Sequence, residues 1–98
     1  MKYEGFWMPA GGNDGVAAIE VFYVSAANQY TVHLDTKSSD EDDSGASSIG
    51  SQVVDSTTPG LFQFKVVNAQ DLVRYRVVNS TGSAVMHFQL SQPLWSPN

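Results

Sequence analysis

The chain has 98 residues, 42% of them hydrophobic, with no cysteine and a formal net charge of −5. This length fits one domain with one core, the hydrophobic content argues against disorder, and the absence of cysteine excludes disulfides and thiolate metal sites. The sequence has no apolar run near the roughly 18 residues of a membrane-spanning helix, no basic patch for phosphate backbones and no secretory signal. We therefore expect no membrane or nucleic-acid partner, and synthesis in the cytoplasm.

Residues 1–15 are predicted to form an aromatic arm and a glycine-rich connector. The stretch "KYEGFWM" (2–8) is a weak strand candidate that Pro9 ends, and "AGGNDG" is the connector. Chain ends are usually polar, so large apolar side chains here need an explanation. They either pack on their own domain or dock on another subunit; they are Tyr3, Phe6, Trp7 and Met8.

Two alternating segments follow, "VAAIEVFYV" (16–24) and "QYTVHLDT" (29–36), and both predict strands. In the first, alternation places Ile19, Val21 and Tyr23 in the core. The same pattern leaves Phe22 and Val24 facing outward. Outward apolar residues that cluster mark an interface, unless a second sheet covers them.

The segment "KSSDEDDSGASSIGS" (37–51) is predicted to be an acidic loop, because it is charged, small and polar without periodicity. Its start has the spacing of a calcium loop, but Ser51 stands where a bidentate Glu is required. We therefore interpret it as a solvated loop that is dispensable for folding, and expect no metal or cofactor.

Four further strands are predicted at 52–55, 61–67, 72–79 and 84–90. Phe62, Phe64 and Val66 share one face of their strand. On the following strand, Arg74 and Arg76 lie two residues apart, on the face opposite Val73, Tyr75 and Val77. The two arginines fit either a carboxylate-bearing partner or acidic residues of the same domain.

Residues 91–98, "SQPLWSPN", form a C-terminal tail with Leu94 and Trp95 bracketed by prolines. As with the N-terminal arm, these side chains either cover their own domain or dock elsewhere.

No window of the sequence has a helical period. The sequence therefore predicts an all-β chain, a single small β-sandwich or jelly-roll-like domain of about six to seven mostly antiparallel strands. The sandwich spans residues 16–90 between the arm and the tail.

Residues 56–90 resemble a β-domain that is frequent in virion proteins of tailed bacteriophages. Gly60, Phe62, Phe64 and Val66 match its opening strand, "VRYRV" (73–77) matches its arginine-bearing strand, and "TGSA" (81–84) matches its last turn. The ending "SQPLWSPN" departs from the pattern. Such domains occur in capsid decoration proteins, head fibres and tail fibres, so the resemblance implies a virion structural role and identifies no ligand.

We therefore expect a non-enzymatic virion protein, a capsid decoration or cement protein that binds the major capsid protein or other virion subunits as a homo-oligomer. The alternative is a carbohydrate- or receptor-binding module of a tail fibre, with Trp7 or Trp95 stacking on sugar rings. No serine, histidine and acid are spaced to suggest a catalytic triad. The expected interface residues are Tyr3, Phe6, Trp7, Met8, Phe22, Val24, Arg74, Arg76, Leu94 and Trp95.

Overall fold

Two antiparallel sheets make up the computed structural model of the chain, which describes residues 2–80 and 84–96. A single 3-10 turn, Asp43–Gly45, lies between the fourth and fifth of the described strands. The all-β two-sheet fold expected from the sequence is confirmed. The strands are β1 (Lys2–Glu4), β2 (Met8–Pro9), β3 (Gly15–Val24), β4 (Tyr30–Lys37), β5 (Ser47–Val53), β6 (Gly60–Val66), β7 (Leu72–Asn79), β8 (Met86–Leu90) and β9 (Leu94–Trp95).

The first sheet has the order β1-β7-β4-β5, and β2 also pairs with β7. β4 occupies one side of β7, so β1 and β2 follow each other along its other side, with Tyr3 opposite Val77 and Met8 opposite Val73. Between them Gly5 N–H donates to the Tyr75 carbonyl at 2.9 Å. The N-terminal residues therefore form one edge of this sheet.

The second sheet has the order β6-β3-β8, and β9 pairs with the start of β3. The register of β3 against β8 shifts between Val21 and Tyr23, which marks a β-bulge. The extra residue interrupts the alternation, so Tyr23 is exposed and Val24 returns to the core with 3% exposure. The prediction of a buried Tyr23 and an outward Val24 is therefore wrong.

The core lies between the two sheets. Each fully buried large aliphatic side chain contributes about 1.5–3 kcal/mol to folding. The Tyr75 hydroxyl accepts a hydrogen bond from Ala18 N–H at 3.0 Å and so joins the sheets, while burial raises its pKa. The largest fully buried side chains are Tyr30, Ile19, Leu34, Val21, Val32, Val54, Val66, Val73 and Val77.

The two sides of the sandwich are closed differently. On one side β5 meets β6 so closely that a Cβ on Gly50 would lie 2.6 Å from the Lys65 carbonyl oxygen. On the other side β1 and β2 face β8 and β9, and the Tyr3 and Phe88 rings meet edge to face with their centroids 5.7 Å apart. We call this second side the seam.

Several predicted boundaries differ from the structure; the predicted strand 52–55, for example, overlaps β5 only at its first two residues. The segment 37–51 is not one loop, because Lys37 ends β4 and β5 begins at Ser47. The arm contributes β1 and β2, and the tail contributes β9. These strands lack clear alternation and form because the backbone of a neighbouring strand is available for pairing. Met1, the predicted turn residues 81–83, Pro97 and Asn98 lie outside the described residues.

Candidate functional site

Trp7 packs on the outer face of the first sheet. Its indole Nε1–H donates to Asp43 Oδ1 at 2.9 Å. Lys37 Nζ and Arg74 Cζ lie 4.7 Å and 4.6 Å from the ring centroid, within the range of cation–π attraction. Trp7 is therefore held by its own domain, and its ring already has cationic neighbours.

Beneath Trp7 lies a network of alternating charges on β4 and β7. Register places Asp35 opposite Arg74. Arg76 donates twice to Asp35, from Nε to Oδ2 at 2.8 Å and from a terminal nitrogen to Oδ1 at 3.2 Å, and this bonding raises the Arg76 pKa. Arg74 donates to Glu4 at 2.9 Å. The arginines predicted to face a partner or their own acids are paired with their own acids, and Arg74 is buried.

A polar cavity of about 370 Å³ opens over this network. Arg74, Arg76, Glu4, Asp35 and Asp43 contribute to its walls, so acids and bases nearly balance there. Such a cavity suits a neutral group that both donates and accepts hydrogen bonds better than it suits an ion. Among the described residues, no group of three or more histidine or acidic side chains is arranged to hold a metal ion.

His33 lies beside the same network, across from Arg76. Its Nδ1 is 3.1 Å from the Ser48 hydroxyl, and burial, followed by the nearby Arg76 charge, lowers its pKa. A lowered pKa keeps the imidazole neutral at physiological pH.

The acidic segment between β4 and β5 is ordered by its own contacts. Asp43 accepts from Lys37 Nζ at 2.8 Å as well as from Trp7, and the Lys37 bond is the main cause of its lowered pKa. Glu41 accepts from the Ser38 N–H at 2.8 Å and its hydroxyl at 2.9 Å, which lowers the Glu41 pKa. Because Asp43 holds Trp7 and β5 begins at Ser47, the whole segment 37–51 is no longer expected to be dispensable.

We expect Asp43→Ala to release Trp7 from the sheet while the sandwich stays folded, because Asp43 is the hydrogen-bond acceptor of its indole. In a Trp95→Phe background, Trp7 is the tryptophan that remains of the two. Adding Asp43→Ala in this background should shift the fluorescence emission of Trp7 to longer wavelength. Asp42→Ala is the matched control and leaves the emission unchanged. Equal spectra for the two alanine variants would contradict this role of Asp43.

Low pH should also weaken the hydrogen bond between Trp7 and Asp43. Asp43 has a pKa below its ordinary value of about 3.8, so its contribution is complete above that pH and is lost as the pH falls through the lowered pKa. In the Trp95→Phe background with Asp43 intact, the emission change should therefore occur below about pH 3.8.

An apolar patch lies on the outer face of the second sheet. It consists of Phe22, Tyr23 and Leu61, which are 51%, 52% and 58% exposed. Leu61 pairs with Glu20, two residues from Phe22, and the bulge exposes Phe22 and Tyr23 in succession. The Tyr23 ring also packs near His87, with centroids 5.8 Å apart. We call these three residues the outer patch.

A second apolar surface lies at the seam. Phe6 is 95% exposed although its neighbours in the chain are held to the sheet. It borders a pocket of about 190 Å³ whose walls include Tyr3, Met8, Tyr75 and Leu90. We call this the seam pocket.

The C-terminal strand places Leu94 and Trp95 on opposite sides. Trp95 is half-buried and packs against the core. Its indole lies directly on Gly11, where a Cβ would clash with the ring. Leu94 is 73% exposed. Both described tails therefore wrap their own sandwich, and only some of their side chains project outward.

The structure divides the predicted interface residues into separate places. Tyr3, Phe6 and Met8 lie at the seam, Phe22 lies in the outer patch, and Val24 is buried. Sequence reasoning missed Tyr23 and Leu61 as patch residues and Asp35 and Asp43 as the partners of Arg76 and Trp7. Alternation along β4 predicts that Asp35 faces outward, as alternation along β7 predicts for the two arginines. No local signal in the sequence gives the register that brings Asp35 beside Arg76.

The chain matches no protein-family model, and no curated protein or solved structure compared with it matches significantly. In the part of the chain that the structure describes, no helix is long and apolar enough to cross a membrane.

Proposed function

We propose that the chain is a non-enzymatic structural protein of a tailed-phage virion, a decoration or cement protein that binds the outside of the capsid. The observation that carries this proposal is the outer patch. Three large apolar side chains are exposed on the sheet face that points away from the core, on the neighbouring strands β3 and β6. Grouped apolar side chains on a soluble domain are characteristic of protein–protein interfaces.

The rigidity of the support adds to the argument. The patch sits on β3 and β6, whose opposite faces supply Ile19, Val21, Phe64 and Val66 to the core. The backbone of a packed sheet is already fixed and loses little freedom on binding, so more of the contact energy appears as affinity. A small domain without cysteine can thus act as a preformed binding surface.

Binding would stabilise the shell by mass action. A protein that binds the assembled capsid and not its free subunits shifts the equilibrium toward the assembled state. Contacts that bridge neighbouring subunits of the major capsid protein would strengthen the effect, because the second contact is then intramolecular. No bond is made or broken in this mechanism, and no cofactor takes part.

The alternative, a sugar- or receptor-binding module of a tail fibre, is favoured by the polar cavity beside Trp7, whose walls offer both donors and acceptors. Stacking on tryptophan counts against it. Trp7 already has cationic neighbours and Trp95 covers Gly11, so a sugar would have to displace these contacts. We therefore place the decoration role first.

The double variant Phe22→Ser/Leu61→Ser should weaken binding to capsids that lack the protein by at least about thirtyfold, since a central aromatic anchor is worth 2 kcal/mol or more. Titration of the purified variant onto such capsids measures the loss. Gln63→Ser/Gln89→Ser, on exposed polar residues of the same face, is the matched control and should bind as the wild type does.

Copy number in purified virions separates the two candidate functions. Hundreds of copies per particle, measured by quantitative mass spectrometry, are expected for a shell protein. A few dozen copies or fewer, with binding to a glycan that excess free sugar reverses, would replace the decoration role with the tail-fibre role. Unaltered capsid binding by the Phe22→Ser/Leu61→Ser variant would remove the outer patch from the mechanism.

A further inference from the structure

We propose that the seam is a self-association surface, where Phe6 of each of two copies enters the seam pocket of the other around a two-fold axis. This inference concerns the oligomer and does not depend on a role in the virion. It starts from one contrast at the N-terminal edge: a phenyl ring that is 95% exposed stands at the border of an apolar pocket on the same molecule.

The pocket has the size of the ring. Its volume is about 190 Å³, and an apolar cavity of about 150 Å³ is known to hold a benzene molecule. Tyr3, Met8, Tyr75 and Leu90 contribute apolar or aromatic surface, and Ser91 and Gln92 add uncharged polar groups. A phenyl group therefore fits the pocket in size and in chemistry.

Phe6 stands at the rim of the seam pocket on a stretch of chain that is held in place. On one side of it Gly5 N–H bonds the Tyr75 carbonyl at 2.9 Å, and on the other Trp7 bonds Asp43 at 2.9 Å. These bonds hold the chain on both sides of Phe6. The backbone that presents the ring is thus in place before any partner arrives, which lowers the cost of association.

The position of the ring beside the pocket favours a second copy as the occupant. A surface that carries both a projection and its complementary pocket can pair with itself, and a two-fold axis then fills both pockets at once and closes the assembly. Such a pair exposes neither Phe6 ring. The edge strand β1 lies at the same surface, and a two-fold axis there would bring two β1 edges together in antiparallel orientation.

Charge is compatible with the same choice. Each chain has a net charge of −5, so two copies repel over most relative orientations. None of the described residues that line the seam pocket is charged. The nearest acid in the chain, Glu4, is bonded to Arg74 at 2.9 Å. The seam pocket is therefore an uncharged contact site on an acidic chain.

Analytical ultracentrifugation over a range of concentrations tests the proposal. We expect a wild-type dimer and, for Phe6→Ser, a dimer dissociation constant at least about thirtyfold higher. Ser91→Phe, which plugs the pocket and keeps Phe6, should have the same effect. Leu94→Ser removes an exposed apolar side chain that does not line the seam pocket, and should leave the dimer intact.

Circular dichroism and thermal melting at low concentration show that each variant is folded, as expected for changes at exposed positions. A wild type that remains monomeric up to about 1 mM would overturn the proposal. So would a dimer that survives both Phe6→Ser and Ser91→Phe, or one that Leu94→Ser dissociates. If capsid binding fails while these results hold, the self-association surface stands without the virion role.

Discussion

Asp35→Ala should lower the free energy of unfolding by about 3–5 kcal/mol, the range for breaking a buried ion pair by removing one partner. Asp35 is buried and accepts two hydrogen bonds from Arg76, while Arg74 Nε lies 3.8 Å from its Oδ2. Within residues 2–80 and 84–96, Arg74 Nε has no hydrogen-bond partner; the same guanidinium bonds Glu4 at 2.9 Å and lies 3.5 Å from Asp43, so Asp35 is one of three acids around it. Removing that carboxylate leaves two positive groups close together on the sheet.

Urea denaturation followed by circular dichroism at pH 7 measures the loss. Asp35→Asn keeps the shape and one acceptor, and should cost less than the alanine variant. Asp40→Ala changes an exposed acid that bonds Ser38 and should alter stability by less than about 0.5 kcal/mol. A loss below about 1 kcal/mol for Asp35→Ala would show that water replaces the carboxylate without difficulty.

Gly50→Ala should destabilise the sandwich by about 3 kcal/mol, the upper end of the usual cost of overpacking. The added Cβ would lie 2.6 Å from the Lys65 carbonyl oxygen and 2.8 Å from Val66 Cγ1. The oxygen belongs to the backbone of β6, so relief requires the two sheets to separate at this side. Thermal melting with matched denaturant curves measures the change.

Gly60→Ala is the matched control, since among the described residues other than its two chain neighbours no atom lies within 4 Å of the added Cβ. It should cause no loss of stability. If Gly50→Ala melts like Gly60→Ala, the close approach of β5 and β6 is not a feature of the protein in solution.

The alternation of apolar and polar residues was enough to predict two of the longest strands. β7 has the predicted bounds, Leu72–Asn79, and β4 is displaced by one residue from the predicted 29–36. Tyr30, Val32 and Leu34 are buried as their shared face predicts. The reason is local: in a strand, successive side chains point to opposite faces, so the sequence itself records which face is buried.

The candidate sites were less predictable. Phe22 was expected to face outward from strand alternation and is exposed; for Phe6 and Leu94 the sequence left packing or docking open, and both are exposed. The seam pocket was not predicted, because its walls come from the N-terminal segment 3–8, from β7, and from the end of β8 with the segment after it. A pocket between two sheets depends on how their edges approach, which no single strand encodes.

The sequence by itself determined that the chain is all-β, where most core-facing residues lie, and that it contains no disulfide. The tertiary structure alone decided the bulge that buries Val24, the strand that begins at Ser47, and the return of both tails to the sheets. It also decided that Arg74 bonds Glu4, which is 70 residues away in the chain, and that Trp7 bonds Asp43. Side-chain alternation is set between adjacent residues, whereas register, edge pairing and ion pairs join segments that meet only after the chain has folded.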